Sequence, residues 1–472
     1  VGRFIAFTGV HAGNSATTLA EASPTMSFRF DRGTLEWRSP IEPSPALRRH
    51  LTWDARTDSW RAPAYHLRAI RSLAPDSCAA ALDPVPGAGT FVSPPLRPYQ
   101  GAAFQCWRDQ QCAGLVAMPT GAGKTRLACA IMAWHQVSTL ILVPTRALLA
   151  QWRTQIQSMW SGAIGCVGDG ESRLEKVTLM TFASAYLYMA RLGNRFALLI
   201  VDEVHHFGSG QRDEALMMCA APWRLGLSAT LPDGDARSRL HHWMGPTLAE
   251  VSLPEISAAY LAPYALMHLR VRLDHDEETR YRELIAIFST VYQRWLRTNA
   301  GAPWSAFVYS AMRDDQGRQA LEAFRASRRL IHLARSKLHV LSSILVQHSQ
   351  QKTLVFTADN SSAYAIARKE LVFPFTCDIG RRERKWALDA FAAGTIRALV
   401  SSQVLNEGVD IPDAQVAVIL GGRGAQREYL QRVGRVLRPH PGKVALIYDI
   451  SVRDTFESRE RSLHHKKLKD PR

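Results

Sequence analysis

The sequence predicts an α/β protein: two tandem domains built on parallel sheets, behind a small N-terminal α+β module. Three observations predict it. Short apolar runs, such as Thr139-Leu140-Ile141-Leu142-Val143, alternate with stretches of helical spacing in two successive series. Each run is apolar throughout, as a strand covered on both faces requires. A glycine-rich stretch, Met118-Pro119-Thr120-Gly121-Ala122-Gly123-Lys124-Thr125, joins one run to the helical stretch after it. Ahead of both series lies an aromatic-rich pattern of strand, turn and strand.

In chain order, residues 1–25 are small, polar and without periodicity, and are expected to be a disordered or non-native leader, with Met26 as the plausible start. Ser27-Phe28-Arg29-Phe30, then Asp31-Arg32-Gly33, then Thr34-Leu35-Glu36-Trp37 read as a hairpin. Tyr65 to Leu73 has helical spacing, and a Pro- and Gly-rich linker closes the module at about residue 90. The first series, 91–255, has a helix from Leu96 to about Gln110. Its strands are expected at Gly114–Met118, Thr139–Val143, Val177–Met180, Phe196–Val201 and Arg224–Leu227. The second series, 256–450, carries a helical, basic insertion at about 274–336. Its strands are expected at Thr353–Thr357, Ile396–Ser401, Ala417–Leu420 and Val444–Tyr448. A basic tail, 451–472, ends the chain.

Composition narrows the function. A hydrophobic share of 46% and a charged share of 21% fit a globular protein. No apolar run approaches the ~20 residues of a membrane-spanning helix, so no membrane partner is expected. A net charge of +16 and a pI near 9.8 favour a polyanionic partner, most simply nucleic acid. Seven cysteines form no C-x-x-C pair, which predicts reduced thiols and a cytoplasmic location.

The glycine stretch has the context of a phosphate-binding loop: strand, loop, helix. Gly121 and Gly123 let the backbone approach an anion with no Cβ in the way. Loop N–H groups and the following helix N-terminus then face the phosphates. Lys124 is placed to reach β- and γ-phosphates, and the Thr125 hydroxyl to hold Mg²⁺. Later in the same series an apolar strand runs into Asp202-Glu203-Val204-His205. Two adjacent carboxylates at a buried strand end are costly unless they bind something. Asp202 is expected to hold Mg²⁺ through water, and Glu203 to orient and deprotonate the attacking water. In the second series, Arg432, Arg435 and Arg438 share one helical face. They suit an arginine finger reaching a transferred phosphoryl across an interdomain cleft.

This ordered set resembles superfamily 2 helicases, and within them the XPB-like DNA helicases. It is also similar to phage UvsW and restriction-type motors. The similarity runs through Leu96–Gln100, Gly121–Thr125, Pro144–Arg146, Asp202–His205, Ser228–Thr230, Val355–Asn360, Leu405–Pro412 and Gln431–Arg438. It implies two RecA-like domains. Residues 26–90 resemble the damage-recognition domain of archaeal XPB, and 274–336 its helical thumb. The resemblance assigns Gln100 to the adenine, and Thr120, Gly121, Gly123, Lys124, Thr125 and Asp410 to ATP. Mg²⁺ falls to Thr125 and Asp202, catalysis to Lys124, Asp202, Glu203, Arg435 and Arg438. Thr145, Arg146, Thr181, Thr357 and Asn406 are expected on the DNA strand.

The expected activity is an ATP-dependent 3′ to 5′ DNA helicase or translocase in DNA repair, acting on single strands or forked duplex. A nuclease partner is expected as well. The alternatives are a duplex translocase of phage defence or restriction, and an ATP-gated DNA-binding scaffold. The chain reads Leu231-Pro232-Asp233-Gly234-Asp235-Ala236-Arg237 where XPB-like proteins carry an Arg-Glu-Asp triplet.

Overall fold

The structure, a computed structural model, describes residues 27–39, 41–168, 170–210, 212–252, 255–256, 263–402, 414–421 and 444–457. The expected leader, most of the basic tail, and Asn406, Asp410, Arg435 and Arg438 lie outside the described residues.

Strands β1 (Ser27–Asp31) and β2 (Thr34–Arg38) form the expected hairpin, with Asp31 opposite Thr34. Arg32 and Gly33 both take positive φ, 46° and 85°, as a two-residue turn matched to strand twist requires. With β3 (Thr52–Asp54) and β4 (Ser59–Pro63) they make an antiparallel sheet of order β1-β2-β4-β3. Phe28, Leu35 and Trp37 from one face pack on Leu67 and Ile70 of the helix Leu67–Leu73. The module is seated on the first large sheet's domain. A Cβ at Gly33 would stand 2.4 Å from Met218 Cγ, and Ala220 belongs to the module's core. The Tyr65 hydroxyl meets His242 Nε2 at 2.7 Å, and Arg68 donates to the Gln110 carbonyl at 2.9 Å.

The first large sheet has β5 (Ala113–Ala117), β6 (Thr139–Val143), β7 (Ile164–Gly168), β8 (Glu171–Arg173), β9 (Val177–Thr181), β10 (Leu198–Asp202), β11 (Trp223–Ser228) and β12 (Thr247–Glu250). Their order is β12-β5-β11-β10-β6-β9-β7-β8, and all neighbours are parallel except the β7–β8 hairpin. Strands β5, β6, β9 and β10 are buried at every position, because helices cover both faces. The expected strand at Phe196 begins two residues later, since the Ala197 and Leu198 N–H groups both donate to the Ser138 carbonyl. Strands β7, β8 and β12 had no clear sequence signal; β8 is exposed and β12 half-exposed.

The second large sheet has β13 (Tyr264–Val271), β14 (Thr353–Phe356), β15 (Phe373–Pro374), β16 (Ala398–Ser401), β17 (Val416–Ile419) and β18 (Ala445–Val452). It is parallel throughout, in the order β13-β18-β17-β14-β16-β15. Between β13 and β14 the chain is helical, as expected: His275–Thr298, Trp304–Ala311, Asp315–His332 and Arg335–Gln347. Phe288, Tyr292 and Trp295 of the first of these pack round the buried Phe307 of the second. Lys337, fully buried, donates to the Leu420 carbonyl at 2.7 Å and pairs with Glu457 at 2.6 Å. Among the described residues no helix is long and apolar enough to cross a membrane.

Candidate nucleotide and nucleic-acid site

The phosphate loop leaves the carboxyl end of β5 and enters the helix Lys124–His135. Gly121 and Gly123 have φ of 85° and 80°, which strains any side chain there, and a Cβ at Gly123 would also stand 2.5 Å from Gln100 Nε2. Gln100, on the helix Pro98–Asp109, clamps the loop from beneath. It is fully buried, and its Nε2 donates to the carbonyls of Ala122 at 2.8 Å and Gly123 at 3.1 Å. Its Oε1 accepts from the Arg97 N–H at 2.9 Å, and the Tyr99 hydroxyl adds a bond to the Ala122 carbonyl at 2.8 Å. Both N–H donors of Gln100 are thus spent on the loop, which leaves the second lone pair of Oε1 for the expected adenine contact. Lys124 Nζ donates to the Met118 carbonyl at 3.1 Å, and the Thr125 side chain is half-buried beside it.

Asp202 is the last residue of β10, one strand beyond β11 from the loop. It is 5% exposed. Its Oδ2 accepts from the indole Nε1 of Trp152 at 2.8 Å and its Oδ1 from the Glu203 N–H at 3.0 Å. Glu203 is held in the left-handed region, φ 52°, a conformation that costs a non-glycine residue about 1 kcal/mol or more. His205 Nδ1 lies 3.3 Å from Glu203 Oε2 and 2.9 Å from Ser228 Oγ. The Ser228 hydroxyl donates to the Thr230 carbonyl at 2.6 Å, so the proton between His205 and Ser228 sits on the imidazole.

Burial, then the charge of Glu203, push the Asp202 carboxyl up to about 6. Burial acts on Glu203 in the same sense, but Lys124 and then His205 outweigh it and hold Glu203 below the usual carboxylate range. Two nearly buried carboxylates facing an ammonium, with a hydroxyl at hand, are a donor set that fits a divalent cation and a polyphosphate. With such groups bound, Lys124 would neutralise phosphate charge, Asp202 and Thr125 would hold the cation's shell, and Glu203 would take a proton from water.

Of the expected strand contacts, Thr145, Arg146, Thr181 and Thr357 lie at strand ends on the carboxyl side of the two sheets, and Asn406 lies outside the described residues. Thr145 caps the helix Arg146–Gln157 by accepting from the Leu148 N–H at 3.2 Å, and Arg146 is exposed at its start. Thr181 ends β9 and caps the helix Phe182–Leu192. Thr357 follows β14, and its single O–H is within reach of two carbonyls, Asp359 at 3.1 Å and Ser401 at 3.3 Å. Thr181 is 8% and Thr357 1% exposed. Both hydroxyls are engaged in shaping the strand ends. The Trp152 bond to Asp202 was not anticipated, because Leu148, Leu149, Trp152 and Ile156 together read as an ordinary apolar helix face. The Gln100 clamp on the loop was also missed.

Residues 28–85 match the family described as the Xeroderma pigmentosum group B helicase damage recognition domain. Residues 93–233 match the res subunit of type III restriction enzymes, and 336–440 the helicase conserved C-terminal domain. DNA 3′-5′ translocase XPB2 of Sulfurisphaera tokodaii is 36% identical over 368 residues, 77% of this chain and 83% of that protein. Putative DNA 3′-5′ helicase Rad25 of Halobacterium salinarum is 29% identical, over 78% of this chain and 56% of that one. DNA 3′-5′ helicase XPB of Kineococcus radiotolerans is 29% identical, over 76% and 60%. The chain thus spans under two thirds of the length of these last two. In fold it is similar to S. cerevisiae Dbp5 bound to RNA and ADP BeF3, with a TM-score of 0.53 at 16% identity, covering 79% of this chain and 87% of that one. With the tandem sheets, the phosphate loop and the damage-recognition module on one chain, the protein belongs to the XPB family of superfamily 2 helicases.

Proposed function

We propose that this chain couples hydrolysis of Mg²⁺-bound ATP to 3′ to 5′ movement along DNA, in DNA repair. The observation that carries the reading is the convergence of Lys124, Asp202 and Glu203 at the carboxyl ends of β5 and β10, on either side of β11, with Lys124 helping to hold Glu203 below the usual carboxylate range. ATP is held by Thr120, Gly121, Gly123, Lys124 and Thr125, with Gln100 beneath the loop. Mg²⁺ is held by Thr125 and Asp202, and Asp410 completes the nucleotide site from the second domain. Arg435 and Arg438 act on the transferred phosphoryl from that domain. DNA runs over the strand ends marked by Thr145, Arg146, Thr181, Thr357 and Asn406, with Arg146 the exposed cation among them. The working units are a module at 26–90, motor domains at 91–255 and 256–450, and a thumb at 274–336. A nuclease is the proposed protein partner.

A second reading, translocation on duplex without strand opening, is supported by one feature. Leu231–Arg237 is a short turn into the helix Asp235–Met244. Arg237 is bonded there to the Pro232 carbonyl and to Glu250, both at 2.8 Å. The Arg-Glu-Asp triplet of XPB-like chains has no counterpart in it. Phosphate release with and without DNA tests the common part of both readings: turnover must be DNA-stimulated, and its absence overturns both. A strand-displacement assay on a forked duplex then separates them.

A further inference from the structure

We propose that Trp152 is a positioning residue for the Mg²⁺–nucleotide site, and that its helix carries the state of the DNA-facing sheet edge to Asp202. The inference rests on the nucleotide-site reading above. Trp152 is 1% exposed and its only polar atom bonds to Asp202 Oδ2 at 2.8 Å. The other carboxylate oxygen takes the Glu203 N–H at 3.0 Å. Each oxygen thus has one protein donor, and the plane of the carboxylate is fixed. A residue present for bulk alone would need no polar atom here; Phe keeps an aromatic ring in the core with nothing to satisfy, at the cost of part of the indole's volume. Removing the indole N–H leaves one buried oxygen without its donor and frees the carboxylate to turn.

The helix that bears Trp152 starts at Arg146, directly after β6 and its Thr145 cap. From Arg146 to Trp152 it advances about 9 Å. Leu148, Leu149 and Ile156 of the same helix are buried, so it is held along its length and shifts as a rod. A phosphate pulling on its exposed start displaces the indole, and Asp202 follows. DNA and the nucleotide then bias the same element, which is the physical content of coupling between sites.

The test is Trp152→Phe in the full chain, with equilibrium binding of a fluorescent non-hydrolysable ATP analogue as the readout. Two results are expected together. The Mg²⁺ concentration for half-maximal analogue binding rises about tenfold, as the loss of one bond to a charged group implies. The factor by which saturating single-stranded DNA tightens the analogue in the wild type falls close to one. An unchanged value of either, or a wild type in which DNA does not tighten the analogue, overturns the proposal. Leu149→Ala thins the core under the same helix and keeps the indole bond, so it must retain the DNA effect; if it loses that effect, the indole is not the link. If Trp152→Phe is not recovered folded, Trp152→His, which keeps a ring N–H, must retain DNA coupling, and its loss in folded protein is equally fatal. Lys124→Ala separates the two layers: analogue binding at wild-type strength there means that the nucleotide site itself is misassigned.

Discussion

The carboxamide of Gln100 and the carbonyl of Gly123, 23 residues apart in sequence, meet at 3.1 Å beneath the phosphate loop. Gln100→Ala takes one donor from each of the Ala122 and Gly123 carbonyls, which keep the Tyr99 hydroxyl and the Leu127 N–H, strips the Arg97 N–H of its acceptor, and opens a gap against the loop. The expected loss is about 1–3 kcal/mol, by the usual cost of a buried polar group left unpaired. A loop that must be ordered at binding weakens ATP first. The KM for ATP should therefore rise by about tenfold, with kcat falling less. A larger fall in kcat than rise in KM would show that Gln100 acts on the chemical step.

Lys124→Ala and Glu203→Gln should fail in different ways. The lysine variant loses a phosphate contact and no core, so ATP binding and turnover both drop while the melting temperature holds. The glutamine variant keeps the shape of the site but not the base. ATP should bind and persist, which a filter-binding assay beside phosphate release will show. Equal loss of binding in both would contradict the division of roles.

Arg438→Ala is expected to lower kcat by about 10² or more even at saturating DNA and ATP, because arginine fingers elsewhere supply 10³–10⁵. Arg438→Lys should not restore it, since the planar fork grips two oxygens. Recovery of the wild-type rate by excess DNA would leave this arginine as a strand contact only.

Lys337 and Glu457 are both buried, so breaking their pair strands a charge. Glu457→Ala should lower stability by about 3–5 kcal/mol, measured by urea denaturation. Replacing both, Lys337→Met with Glu457→Gln, should cost less than the single change. A double variant no more stable than Glu457→Ala would mean that the bond of Lys337 to the Leu420 carbonyl matters more than the ion pair.

DNA affinity should fall steeply with salt, because a chain of net charge +16 displaces counterions when it meets phosphates. A flat plot of log affinity against log salt between about 50 and 200 mM would argue against a groove that tracks the backbone.

Much of this was legible in the chain. The strand Thr139–Val143 and the hairpin at Arg32-Gly33 lie where pattern and turn chemistry put them, since a strand covered on both faces announces itself by being apolar throughout. Edge strands do not. Thr247–Glu250 is half-exposed, so its residues need no periodicity, and only the neighbouring β5 makes it a strand. The charged members of the site were readable because burying a carboxylate demands a reason. Its supports were not. Gln100 acts through carbonyls, which every residue possesses, and Trp152 through one N–H on a ring whose bulk already explained it. Thr181 and Thr357 show the converse, for a hydroxyl at a strand end is as apt to cap the next turn as to face a phosphate.

The N-terminal module touches the first motor domain through Met218, Ala220, His242 and Gln110, which come from separate segments of that domain. Contacts so dispersed leave no hinge between the two. The module is a fixed frame of reference on that half of the machine. Any DNA bound by the module would therefore stand at a set distance from the phosphate loop.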